Sequence, residues 1–235
     1  MEIRGERECS ACGHRWSYYE TGGVTCPECG SHRSTGVGER AEHTAGTGGF
    51  DLTPVREAVD EESLAAVAED AADRAADYVR QAGFVHAGDL QPLDDTYLSA
   101  VELRRVGTTL ARRLQVTDEE ELYFLTLLRG GDQGERPEPE AVPDSLRAER
   151  GLAVAAAVDA YVSDLRRVPG EPEPAVGEVL SRLRAHRKRI EALDGDVAPE
   201  ESERIVRTVR DLGTYLTADD ETALARARSR LPGTE

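Results

Sequence analysis

Long apolar runs are missing from this chain of 235 residues, and none approaches the roughly 18 to 20 residues that cross a bilayer as a helix. A helical membrane-spanning protein is thereby excluded. Positive charge is scarce as well: 29 Lys+Arg stand against 46 Asp+Glu, for a formal charge of -17 and a pI near 4.8. That balance excludes a broad basic surface of the kind that grips nucleic acid through net charge. The segment Met1 to Glu8 is charged almost throughout and has neither the apolar stretch nor the small-residue cleavage site of a signal peptide, so the expected location is cytoplasmic. Lysine is nearly absent, Lys188 standing alone among arginines, and there is no asparagine.

An acidic, arginine-based chain rich in Ala, Val, Gly and Thr resembles the proteins of halophilic archaea. The physics is consistent with that resemblance, because the Debye length is about 3 Å at 1 M salt and the self-repulsion of such a chain is screened in brine. The charge is uneven, however. Residues 1–40 carry six acids and five arginines, a net of -1, so nearly all of the excess lies beyond them.

The chain divides by composition. Residues 1–34 are rich in Cys, Gly and aromatics, with short extended stretches at Glu2–Arg7, Arg15–Glu20 and Val24–Thr25; Thr21-Gly22-Gly23 between the last two reads as a hairpin turn. From Ser34 to Gly49 the chain is dominated by Gly, Thr, Ser and Ala without periodicity, and residues 35–50 read as a flexible linker. Helical patterns fill 51–130 and 144–235, separated by a Pro/Gly-rich linker at 131–143. The expected fold is thus a small β ribbon followed by a mainly α-helical region, either one bundle or two sets of helical hairpins. Because the linker implies few contacts, residues 51–235 are expected to fold without the ribbon.

Individual signals place the helices. Thr53-Pro54 reads as a helix start whose Ala-rich continuation runs to Gln81, with a break near Asp60. Leu103, Val106, Leu110 and Leu114 form a stripe on a helix from Asp95 to Gln115. Thr117 with Glu120 reads as a capping box that opens an apolar helix through Leu122, Leu125 and Leu128. Leu146 to Val168 should be helical and end at Pro169-Gly170-Glu171-Pro172. Apolar stripes through Val176 to Leu193 and through Ile205 to Leu216 mark two more helices, and Thr217 with Asp220 opens a last one ending near Pro232.

Four cysteines carry the chemistry. Cys9-Ser10-Ala11-Cys12-Gly13 and Cys26-Pro27-Glu28-Cys29-Gly30 form two CxxC pairs with thirteen residues between them. Two residues between thiolates let one tight turn aim both sulfurs at one ion, and a second such turn completes a tetrahedron. Glycine after each pair supplies the positive φ with which backbone wraps a sulfur. Four thiolates fill the coordination sphere of zinc, so one structural Zn2+ held by Cys9, Cys12, Cys26 and Cys29 is expected. A segment of this size cannot bury a sufficient core, and the metal should supply its folding free energy, on the order of 10 kcal/mol.

On these residues the chain resembles the zinc-ribbon superfamily, in particular the N-terminal ribbon of archaeal transcription factor B. The resemblance covers about the first 34 residues and implies a docking role, in transcription among other settings. The acidic helices that follow differ from the basic cyclin-like repeats of such factors. Cys-Pro-Glu-Cys-Gly is also similar to rubredoxin, which makes an iron-loaded electron-transfer site the alternative. A rubrerythrin-like helical di-iron bundle is excluded, because none of the five histidines has a Glu three residues before it.

No nucleophile–base signature, phosphate loop or open metal site points to an enzyme. The expected function is therefore non-enzymatic: the ribbon docks on a protein or nucleoprotein partner, a nucleic-acid-binding ribbon being the other reading. Arg15, Tyr18, Tyr19 and Arg33 are the candidate partner-binding residues, since Tyr and Arg dominate interaction hot spots. Trp16 is expected to support the ribbon as core, and the basic stretch Arg182 to Arg189, flanked by Glu178 and Glu191, to be a salt-bridged helix face.

Overall fold

The computed structural model describes residues 1–168 and 173–231. The chain begins with β1 (Glu2–Cys9) and β2 (Arg15–Ser17), followed by a single helical turn, α1 (Tyr18–Thr21), and β3 (Ser34–Glu42). These strands form one antiparallel sheet in the order β2-β1-β3, in which Arg7 sits opposite Trp16 on one side and Gly36 on the other. The register between β1 and β3 slips between Arg4 and Glu6, a bulge accommodated by Gly38 at φ 80°.

Two expectations for this region need correction. Residues 21–23 make no hairpin turn and Val24–Thr25 make no strand; instead Ser17 caps α1 through the Glu20 N–H, and Gly22 ends it at φ 62°. Nor does a linker begin at residue 35, since 34–42 form the longest strand. Its Gly, Ser and Thr lack the alternation that marks a strand in sequence, and pairing with β1 supplies the hydrogen bonds that side-chain pattern does not.

The helical region consists of α2 (Thr53–Ala58), α3 (Leu64–Gln81), α4 (Asp95–Leu110), α5 (Asp118–Gly130), α6 (Arg147–Leu165), α7 (Pro174–Ala192), α8 (Pro199–Ala218) and α9 (Glu221–Arg230). A small hairpin, β4 (Val85–His86) with β5 (Asp89–Leu90), separates α3 from α4. The expected break near Asp60 is present, with Ser63 capping α3 through the Ala66 N–H. The capping box at Thr117 and Glu120 has both of its hydrogen bonds, 3.3 and 3.0 Å. Residues 131–146 fold into three short 3-10 turns. The ends expected at Pro169–Pro172 and Pro232 lie outside the described residues.

Helix α4 joins the two halves. Its Tyr97, Leu98 and Val101 belong to a core shared with α6 to α9, while Ala100, Leu103, Val106 and Leu110 belong to a core shared with α2, α3 and α5. Residues 51–130 and 144–231 therefore pack together, with α4 burying a face in each core and Tyr78 and Val79 of α3 packed against both. The apolar stripes extend too far in the sequence reading: Leu114 lies past the end of α4 and is wholly exposed, and Leu122 on α5 is also exposed, its place in the core taken by Tyr123 and Phe124. Among the described residues no helix is long and apolar enough to cross a membrane.

A charge cluster sits inside the body. Glu102 on α4 is fully buried, as is Arg150 on α6, and the two meet at 2.9 Å. Arg136 from the 3-10 segment adds a bond of 2.9 Å to Glu102, both arginines reach Glu203 on α8 at 2.7 and 2.8 Å, and the Tyr123 hydroxyl on α5 donates to Glu102. Arg150 also donates to the Pro137 carbonyl. Burial alone would raise the Glu102 carboxyl, but Arg136 and Arg150 hold it below the usual glutamate range.

The join between ribbon and body is a seam. Thr44 exchanges backbone and side-chain bonds with Val85 at 2.9 and 3.0 Å, and its hydroxyl donates to Asp164 on α6 at 2.6 Å. Asp164 also accepts the Phe84 N–H at 2.8 Å. Backbone passes so closely here that a Cβ at Gly83 would run into Thr44, and one at Gly46 into Gln81. Tyr19 lies over Gly5, where no side chain fits, and packs against His43 and His86 at ring distances of 4.6 and 5.7 Å. Burial, with help from His86, lowers the His43 pKa, which favours the neutral ring that accepts the Ala87 N–H at 3.2 Å. The segment expected as a flexible linker is thus hydrogen-bonded along 43–45, and its glycines serve close approach.

Two outcomes follow from these buried groups. Glu102→Gln removes the fully buried charge that Arg136 and Arg150 share, leaving them the less buried Glu203 alone, and should cost about 3–5 kcal/mol in urea unfolding. Because the Glu102 pKa is depressed in the folded state, its contribution is complete at neutral pH and lost as pH falls through and below the usual carboxylate range, so the gap between wild type and variant should close in acid. Asp164→Ala strips an acceptor from a buried backbone N–H and should lower stability by about 2–3 kcal/mol. A flexible connection would leave stability unchanged.

Candidate metal centre

Each cysteine pair sits in a turn of the same construction. The Cys9 carbonyl accepts the Gly13 N–H and the Cys9 N–H reaches His14 O; the Cys26 carbonyl accepts the Gly30 N–H and the Cys26 N–H reaches Ser31 O, all at 2.9 Å. Gly13 and Gly30 take φ of 74° and 69°, and open space surrounds the position where a Cβ would stand, so conformation and not crowding requires glycine there. The first knuckle grows out of the end of β1. The second is tied back to the sheet by the Ser34 hydroxyl on Val24 O and the Trp16 indole on Gly23 O, at 2.6 and 3.1 Å.

These turns bring the four sulfurs together. Cys9 Sγ lies 3.6 Å from Cys29 Sγ, Cys12 Sγ lies 3.7 Å from Cys26 Sγ, and all four fall within 4.8 Å of one another. A tetrahedron of sulfurs at about 2.3 Å from a central ion has edges of about 3.8 Å, so the constellation has the size of a filled tetrathiolate site. None of the four forms a disulfide. Cys9 and Cys26 are buried with Trp16, whereas Cys12 and Cys29 face outward.

Electrostatics separate the thiols. Backbone N–H groups of Ala11 and Cys12 pull Cys9 down to about 6, the Ala11 N–H lying 3.4 Å from its sulfur. For Cys12 the lowering by the His14 N–H is overcome by the facing Cys29 sulfur and by burial, which push it up to about 12. Four thiols packed this closely cannot all ionise without a cation among them, and a divalent ion is what would draw off the remaining protons. The residues fit a metal in number, distance and donor type.

The neighbouring residues fall into separate places. Trp16 is buried beside Cys9 and Cys26, as expected of supporting core, with His14 stacked near it at 6.2 Å. His32 is exposed and bonds Thr25, outside the donor set. Arg15 pairs with Glu8 at 2.6 Å, and Arg33 is exposed with its carbonyl accepting the Ser10 N–H. Tyr18 is half-buried and lines a groove with Arg4, Arg7 and Arg40, while Tyr19 is committed to the seam with the body. Of the four candidate docking residues, Tyr19 is thus the one packed against His43 and His86. The basic stretch on α7 is a salt-bridged face, Arg182 pairing with Glu178 at 2.5 Å and Arg187 with Asp159 at 2.8 Å.

Sequence reading passed over the cluster around Glu102. A signal was available: Glu102 stands between Val101 and Leu103 on a buried helix stretch, and Arg150 directly before the run Gly151 to Val158 of Gly, Leu, Ala and Val, each a charge where the pattern calls for apolar residues. Spacing alone could not pair them, because they are brought together only by the packing of α4 on α6.

A model of the family described as "Family of unknown function (DUF7117)" matches residues 1–231, spanning ribbon, seam and helices together. No curated protein and no solved structure matches the chain.

Since Trp16 is the single tryptophan and lies against two of the sulfurs, it reports on the centre. Cys26→Ser, or a strong chelator on the wild type, should shift its fluorescence to the red as the ribbon loosens. Far-UV helical ellipticity should stay within about a tenth of the untreated value, because the helices have their own cores. A parallel loss of both signals would mean that ribbon and body unfold as one unit.

Proposed function

We propose that this chain, which belongs to the DUF7117 family, is a zinc-stapled docking protein whose ribbon engages a macromolecular partner without transforming a substrate. The convergence of four thiols with tetrahedral spacing is the observation that supports it most directly. Structural zinc sites take four protein ligands, whereas catalytic ones keep three and leave a place for water. Four cysteines at these distances supply the whole sphere. When bound, the metal would hold the two knuckles in fixed relation; Cys9, Cys12, Cys26 and Cys29 would be its ligands.

A metal used this way makes a small surface rigid, which lowers the ordering cost of binding. The exposed Arg33 beside the knuckles and the half-buried Tyr18 suit such contacts, and Arg15 presents its guanidinium alongside Glu8. The likeness of the ribbon to that of transcription factor B supports a partner of the protein or nucleoprotein kind. The acidic helical surface supports the same choice, because it repels polyanions that extend beyond the ribbon.

Elemental analysis of native protein purified without added metal should return one zinc per chain. Stoichiometric iron, with thiolate-to-iron absorption in the visible, would replace this reading with an electron carrier. A photo-crosslinking side chain introduced at Arg33 or Tyr18 should capture a partner in cells, while one at Arg184 on α7 should not. Equal capture from α7 would place docking on the helices.

A further inference from the structure

One side of the ribbon sheet carries a groove of about 340 Å³ lined by Arg4, Arg7, Arg40, Tyr18, Val24 and Gly36. Arg4 and Arg40 are cross-strand partners in the register of β1 and β3. Directly opposed side chains in an antiparallel pair have Cβ atoms about 5 Å apart, and like charges there destabilise the sheet. Arg7 stands further along the same strand as Arg4. Three guanidiniums gathered this way on a chain of net charge -17 oppose the prevailing balance.

Their partners set them apart further. Arginines of the body are largely consumed in ion pairs, as at Arg56–Asp132, Arg105–Glu149, Arg147–Asp196 and Arg210–Asp95. Among the described residues Arg4, Arg7 and Arg40 have no carboxylate partner. Arg4 donates to the Gly38 carbonyl and Arg7 to the hydroxyl and carbonyl of Ser34, which fix their stems and leave most of their N–H groups unspent. Gly36 permits this arrangement, since a Cβ there would stand 3.1 Å from the Cβ of Arg4. Glu2, on the rim, is the single carboxylate lining the groove.

We propose that this groove binds an acidic peptide segment of a protein partner, one that sets Asp or Glu side chains beside aliphatic ones. The proposal rests on the docking reading above and names the chemistry of the partner. Guanidinium forks match carboxylates in bidentate geometry, and the opposed pair Arg4–Arg40 gains most from a negative group placed between its members. Exposed Val24, with the half-buried Ile3 and Tyr18 ring, offers the apolar contact that an aliphatic neighbour would fill. Single-stranded nucleic acid fits less well. It needs successive aromatic platforms for its bases, whereas Trp16 is buried and Tyr19 is held in the seam, leaving one ring; the acidic body would also repel the continuing phosphates.

The test uses the full-length, metal-loaded protein and fluorescence anisotropy at low and moderate salt. The probes are a short fluorescein-labelled peptide of alternating Asp and Leu, its Lys-Leu counterpart, and a labelled oligothymidylate. The Asp-Leu peptide should bind, the Lys-Leu peptide should not, and binding should weaken as salt rises. Arg4→Glu should reduce Asp-Leu binding about tenfold or more. The same change converts a like-charge cross-strand pair into an opposite one, so the ribbon should resist chelator-induced unfolding at least as well as wild type, a result that mere misfolding could not give. Arg184→Glu on α7 should leave binding unchanged. Tighter binding of oligothymidylate than of the Asp-Leu peptide, or equal peptide binding by wild type and Arg4→Glu, would overturn the proposal. Because partner capture through Arg33 is measured separately, failure here with capture intact would reject the groove and keep the docking reading, whereas loss of capture alone would reject the docking reading.

Discussion

The helical body is organised around a carboxylate that water does not reach. Glu102 is wholly buried on α4, whose buried residues divide between the two cores, and its charge is met by Arg136, Arg150 and the Tyr123 hydroxyl. Taking these ions out of water costs several kcal/mol apiece, which their mutual attraction offsets only while the geometry holds. The offset is incomplete, since Arg150 Nε and Arg136 Nη2 have no hydrogen-bond partner among the described residues. What the cluster contributes is direction: α4, α5, the 3-10 segment, α6 and α8 each place a group in it, so its bonds specify one mutual arrangement of elements that apolar packing alone would leave less defined.

The ribbon solves the opposite problem. It has a three-residue apolar cluster, Cys9, Trp16 and Cys26, far too small to balance the ordering of some forty residues. Convergent thiols stand where a core would be, and a metal bound by all four would contribute folding free energy that the apolar surface lacks. The ribbon is not an appended bead, however. Thr44, Asp164 and Phe84 lock its exit strand to α6, and Tyr19 spans Gly5, His43 and His86, so a rigid small surface is carried at a defined place on a rigid large one. On the docking reading proposed above, a ribbon held in this way would keep its orientation to the acidic body, which would limit the partners that can approach it.

Short-range signals in the sequence were reliable wherever the cause was local. Both CxxC knuckles, the glycines that follow them, the Thr117 capping box and the break near Asp60 depend on contacts within a few residues, and each appears where its spacing places it. Stripe reading overran at Leu114 and Leu122, because periodicity identifies a face without telling where a helix ends or which neighbour covers it. Strand β3 was hidden for a related reason: with Gly36 and Gly38 at its centre it has no pattern of its own, and its hydrogen bonds come from β1, some thirty residues earlier.

Local chemistry thus determined the two cysteine knuckles, the helical character of residues 51–231 and the apolar stripes, since thiol spacing, capping groups and a 3.6-residue period act over one or two turns. Tertiary structure decided the rest. It made a seam of the glycine-rich segment, turned Tyr19 inward while leaving Tyr18 beside three arginines, set Arg4 opposite Arg40, and joined Glu102 to Arg150 across 48 residues. Each depends on which surfaces meet when the chain closes on itself, a property of pairing between distant segments that no local spacing encodes.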